Sequence, residues 1–193
     1  MDLPAIAKLA GLKPSEVRVI HQRPALIQEL NWRSQFSLSS SRQADPIANV
    51  RFSFYKGELF RILVNYNRYK TEGLTAEDMV EAISATYGTV SKAAAETTFS
   101  LSGVYNDTQV VIARWEDSQY SFSLFRSSYQ PTFGMIALSK QLDAQAQVAA
   151  AEAIALDKQE APQREIERKK KQDDENQVSQ EKARLVNKPG FRP

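Results

Sequence analysis

Hydrophobic and polar positions alternate cleanly in two stretches of the chain. Val50, Phe52 and Phe54 are separated by Arg51 and Ser53, and Phe60, Ile62, Val64 and Tyr66 return on alternate positions after Lys56-Gly57. Period-2 alternation places one set of side chains on one face of a strand, and a Gly-containing turn between two such runs predicts a hairpin. A second hairpin is predicted from Gln109–Trp115 and Tyr120–Ser127, around the turn Glu116-Asp117-Ser118. Helical spacing appears at Val80, Ile83 and Tyr87, bounded by Thr75 as N-cap and Gly88 as terminator. In the first half, Val17, Ile20 and His21, after Pro14 and before Pro24, are read as the corresponding helix.

These elements repeat. Gly11-Leu12-Lys13-Pro14-Ser15-Glu16-Val17 aligns with Gly73-Leu74-Thr75-Ala76-Glu77-Asp78-Met79, and Phe36–Ser39 with Phe99–Ser102. Val50–Phe54 then falls against Val111–Trp115, and Phe60–Ile62 against Phe122–Leu124, all at an offset of 61 to 63. Ordered matches at a near-constant offset predict a duplication. The expected fold class is α+β: tandem duplicated α-β-β-β units, about 3–67 and 73–130, forming an antiparallel sheet with helices on one face. The other face is expected to be open to water or a partner. The duplicated domain spans 1–134. A C-terminal helix follows over 135–161, with an apolar stripe at Met135, Ile136, Leu138 and Leu142, and Pro162 ends it. A charged tail, disordered or lone-helical, occupies 162–193.

Composition narrows the function. With 193 residues, 42% hydrophobic and 25% charged, the chain suits one domain or two small units. No apolar run is long enough to span a membrane, and Met1-Asp2-Leu3-Pro4 does not read as a secretory leader. No cysteine is present, which excludes disulfides and thiolate chemistry. The net charge of +2 sits in the tail: residues 1–156 carry fifteen basic and fifteen acidic side chains, residues 157–193 ten and eight. A neutral domain argues against nucleic acid as partner. The basic run Arg168–Lys171 is followed at once by Asp173-Asp174-Glu175, so its field is cancelled at short range.

Catalytic signatures are absent: no phosphate loop, no HExxH and no GxSxG. The single histidine, His21, is read as structural, in the place of Ile83. Glu77, Asp78 and Glu81 are read chiefly as first-turn acids facing the helix dipole. As an alternative they form a carboxylate site. Trp32 and Trp115 are read as packing residues, and Asn106-Asp107-Thr108 matches the glycosylation triplet. The candidate binding residues are Tyr66, Arg68, Tyr69 and Lys70, aromatic and basic side chains interleaved between the two units. No catalytic residue, metal site or cofactor is expected, and the expected partner is a protein.

The entry Gly11–Val17 resembles that of small bacterial envelope proteins: the lipoprotein of the barrel-assembly machine and the tandem-repeat β-lactamase inhibitor protein. Phe54-Tyr55, Gly57, Leu59–Ile62 and Thr71–Thr75 are also similar to a pattern in bacterial secreted proteins. The resemblance implies an envelope or secreted protein, periplasmic or extracellular, that binds other proteins. Three readings follow: a non-enzymatic interaction module using the open sheet face, a small-molecule-binding or hydrolytic domain at the carboxylates, and an assembly protein acting through its C-terminal helix.

Overall fold

The computed structural model describes residues 1–34, 45–93, 98–99, 109–127 and 132–190. The segments Phe36–Ser39 and Ser100–Ser102 and the triplet at Asn106 lie outside the described residues. The chain divides into two compact units, Met1–Ala150 and Ala151–Pro193.

The first unit is α+β. Helix α1 (Leu3–Leu9) and a short 3-10 turn (Pro14–Glu16) lead into strands β1 (Arg18–His21), β2 (Ile27–Arg33), β3 (Ile47–Tyr55) and β4 (Glu58–Tyr66). Helices α2 (Arg68–Thr71) and α3 (Ala76–Tyr87) follow. The two-residue strands β5 (Lys92–Ala93) and β6 (Thr98–Phe99) precede β7 (Gln109–Glu116), β8 (Tyr120–Ser127) and β9 (Phe133–Ser139). Helix α4 (Lys140–Asn187) begins in this unit and continues into the second. The sheet runs β1-β2-β3-β4-β9-β8-β7-β5, with β6 also on β7, and every pairing is antiparallel.

Both predicted hairpins form. Lys56 (φ 51) and Gly57 (φ 85) take the two positive φ values that a two-residue turn matched to strand twist requires. β4 and β8 both pair with β9, and the residues that share a row there are Ile62 and Phe122, each opposite Ala137, rather than Phe60 and Phe122. The capping box at the start of α3 is also present: Thr75 N–H donates to Asp78 Oδ2 at 2.8 Å, and Asp78 N–H to Thr75 Oγ1 at 3.2 Å. Gly88 (φ 85) closes the helix, and Trp115 Nε1–H donates to its carbonyl at 2.9 Å.

Three expectations are corrected. Arg18–His21 is an edge strand, paired at Arg18↔Glu29 and Val19↔Gln28, and not a helix. Val17, Val19 and Ile20 are β-branched, which favours a pleated backbone over a helix. The helix of this half is α1 instead, capped by Asp2, whose side chain accepts from Ala5 N–H at 3.1 Å. It buries Ile6 and Ala7 against Leu30 and Phe54. His21 therefore sits half-buried on a strand and does not correspond to Ile83, which is in α3.

Second, Met135–Ser139 belongs to β9, between β4 and β8, and the helix starts only at Lys140. A strand buried on both faces does not alternate, so Phe133–Leu138 shows no period of 2. The helix also passes through Pro162, where it had been expected to stop, and the tail is helical to Asn187.

Third, the second sheet face is not open, although α1 and α3 share the first face as expected. Met79 and Ile83 of α3 cover Ala113, Trp115, Leu124 and Met135, on the face that α1 also covers through Phe52 and Phe54. The opposite face, expected to be open, carries the first turns of α4. Ala149 packs there with Ala25 and Ile27, beside Tyr55. Asp143, Ala146 and Ala149 are spaced by three and all buried, so the stripe meeting the sheet is short in reach and allows close approach.

Candidate functional site

The expected binding residues do not share one surface. Tyr66 ends β4 and packs beside the α3 cluster, and burial, helped by Tyr87, raises its phenol above the ordinary value. Asn67 is buried and structural: its N–H donates to the Pro46 carbonyl at 2.8 Å, and its Oδ1 accepts from Tyr69 N–H at 3.1 Å, capping α2. Arg68 and Lys70 are exposed, and Arg68 lies 4.5 Å over the Tyr69 ring while its Nη2 donates to the Tyr69 hydroxyl at 2.6 Å. The segment reads as a capped turn carrying a stacked Arg–Tyr pair.

Glu77, Asp78 and Glu81 are all exposed on α3, and Asp78 is occupied by the capping box. Among the described residues no group of three His, Asp or Glu side chains is arranged to hold a metal ion.

A different constellation sits where α4 begins. Between its first turns and the second sheet face lies a cavity of about 260 Å³. Its floor is Ile136 and Leu138 of β9 with Ser121 and Ser123 of β8, and Arg61 of β4 and Arg114 of β7 enter from either side. The positions are set by register: Arg114↔Ser123, Ser123↔Ile136 and Arg61↔Leu138 place these residues in adjoining rows on one face. From α4, Asp143 closes the wall: Arg61 Nη2 donates to its Oδ1 at 2.5 Å and Arg61 Nε at 3.1 Å, while Gln147 Nε2 donates to its Oδ2 at 2.6 Å. At the rim Lys140 pairs with Glu116 at 3.0 Å and donates to the Asp117 carbonyl at 2.6 Å. The amides of Tyr120 and Gln119 donate to Asp117 and hold its carboxyl below the usual range.

The Arg61–Asp143 pair is the polar clamp between α4 and the sheet. The two side chains are 19% and 9% exposed, so removing one strands the other's charge in a partly dry site. We expect Asp143→Ala to lower stability by about 2 kcal/mol, below the value for fully buried pairs because Arg61 retains some water. Arg61→Met with Asp143→Leu should restore much of it, since no charge is then left alone. Urea denaturation of the three variants measures both effects.

None of the cavity's polar residues was singled out from sequence. Arg61, Arg114, Ser121 and Ser123 fall on the polar phase of alternating strands, which reads as a solvated face. The signal was present in Asp143, an acid on the small-residue stripe of a helix that follows directly on a strand. No family model, curated protein or solved structure matches the chain.

Proposed function

We propose that this protein is a non-enzymatic protein-interaction module of the bacterial envelope or secreted space, engaging its partner through the charged length of α4. One observation carries the reading. The helix continues as far as Asn187, and its side chains from Asp157 onward are exposed except for the half-exposed Glu160. Its local support consists of surface ion pairs such as Arg164–Glu160 at 2.5 Å, Lys169–Glu165 at 3.4 Å and Arg184–Glu181 at 2.6 Å. Such pairs contribute only about 0.3–0.5 kcal/mol each. A helix this long, polar on every side, has a physical reason to persist when a partner lies along it. Both signs of charge are present, so the partner is a protein surface with mixed charge rather than a polyanion. The envelope setting rests on the resemblance of Gly11–Val17 and of the Phe54–Thr75 pattern.

The fold is consistent with a duplicated origin in this reading. The β3–β4 and β7–β8 hairpins flank β9, and α1 and α3 lie on the same face. An experimental structure whose 47–66 and 109–127 hairpins differed in twist and hand of connection would count against it.

The test uses the full chain with photo-crosslinking residues at Lys169, Asp174 and Lys182, and at Lys8 on α1 as control. The helix sites should all yield one partner protein, the control should not, and a chain lacking residues 163–193 should lose it. Retention of the same partner by the shortened, folded chain would overturn the proposal.

A further inference from the structure

We propose that the cavity between α4 and the second sheet face is a binding site for a small oxyanion, a carboxylate or phosphate group on a compact molecule. The proposal goes beyond the interaction role and does not depend on it.

Charge pairing within the cavity is incomplete. Arg61 is taken by Asp143, and Lys140 by Glu116. Arg114 remains. Its Nε donates to Ser123 Oγ at 3.1 Å, and its terminal amino groups make no hydrogen bond or ion pair among the described residues. Three cations thus face two carboxylates. A half-buried guanidinium without an anion is an unfavourable arrangement that an oxyanion would relieve, and the planar fork of arginine suits two oxygens at once.

The second observation is Ser121. It is 6% exposed, it lines the cavity, and its hydroxyl has no hydrogen-bond partner among the described residues. A hydroxyl buried to that degree is ordinarily satisfied, because leaving it unpaired costs roughly 1–3 kcal/mol. Ser123, 4% exposed, stands two residues along the same face and orients Arg114. The hydroxyl of Ser121 and the fork of Arg114 therefore supply donors toward a common space, over the apolar floor of Ile136 and Leu138. The volume admits a molecule of a few to about a dozen heavy atoms, with a short apolar body beside its charged group.

The experiment follows the amide and Arg Nε–H resonances of the isotopically labelled full chain during titration with inorganic phosphate and, separately, with succinate. Saturable shifts at Arg114, Ser121 and Ser123 with either probe support the site, and the probe that saturates at lower concentration assigns phosphate or carboxylate. Arg114→Gln should raise Kd at least about tenfold, and Ser121→Ala about threefold, as expected for loss of a charged and a neutral donor. Arg184→Gln, near the C-terminal end of α4 and outside the cavity lining, should leave Kd unchanged. The two test substitutions fail differently, so a poorly folded Arg114→Gln chain still leaves Ser121→Ala to decide. Absence of saturable shifts with both probes, or a Kd unmoved by Ser121→Ala in a folded chain, overturns the proposal.

Discussion

A chain ending at Thr132 is expected not to fold, whereas a chain ending at Pro162 should keep the fold and lose no more than a few degrees of Tm. The first cut removes β9, the strand that joins the two halves of the sheet. Without it, Val64 loses Met135 and Leu124 loses the same partner from the other side, leaving two edges of unpaired backbone. Phe133, Met135 and Ile136, all buried, leave with it, as do Ala146 and Ala149 of α4. Core truncations of single side chains already cost about 2–5 kcal/mol each, and whole-domain stability is about 5–15 kcal/mol. The loss of three such residues is of the size of that whole, before the central strand's own pairing is counted. The second cut removes exposed helix held by surface ion pairs, each of small effect. At this size about 1 kcal/mol shifts Tm by only roughly 2–4 °C. Circular dichroism melts of the two chains decide the matter. Cooperative melting of the shorter chain would show that β9 is dispensable, and unfolding of the longer one that residues 163–193 support the fold.

The elements legible from sequence are those whose signal is local. The β3–β4 and β7–β8 hairpins show because each has one apolar and one polar phase and a turn whose residues accept its geometry. Helix α3 shows because Thr75, Asp78 and Gly88 mark both ends. What stayed hidden depends on the partner across space. Phe133–Leu138 is apolar throughout because β9 is covered on both faces, and an unbroken apolar run of this length looks the same in a buried helix. Val17–His21 carries two opposed signals, flanking prolines that suit a helix and β-branched residues that suit a strand, and α1, a short helix, gives too few turns for a stripe to stand out. The cavity was invisible for a related reason. Arg61, Arg114, Ser121 and Ser123 are polar residues on the outer phase of amphipathic strands, and only the path of α4 turns that phase inward. Tyr66 shows the converse: it looked available for binding because it ends a strand beside a loop, yet α3 returns over it.

Gly134→Ala should destabilise the protein by about 3 kcal/mol, the upper part of the range for overpacking a filled interior. The glycine sits in β9 between Asn65 of β4 and Phe125 of β8. A Cβ built there would overlap the Phe125 ring and stand 2.8 Å from the Val64 carbonyl oxygen. Phe125 is 1% exposed and clusters with Leu63 and Ile136, so its ring has little room to retreat. The Val64 carbonyl belongs to the ladder between β4 and β9 and cannot move without loosening that pairing. The requirement is one of space: Gly134 is not among the glycines at positive φ, so the alanine backbone is otherwise acceptable. Shrinking the neighbour should therefore relieve part of the cost. Phe125→Leu alone should lower stability through lost apolar contact, but combined with Gly134→Ala it should cost less than the sum of the two. Relief should be partial, because the clash with the backbone oxygen remains. Equilibrium urea unfolding of the two single variants and the double variant gives the coupling. Strict additivity would mean that the Phe125 ring is not what excludes a side chain at 134, and a Gly134→Ala variant as stable as the parent would mean that β9 tolerates a wider spacing from β4 than its place in the sheet implies.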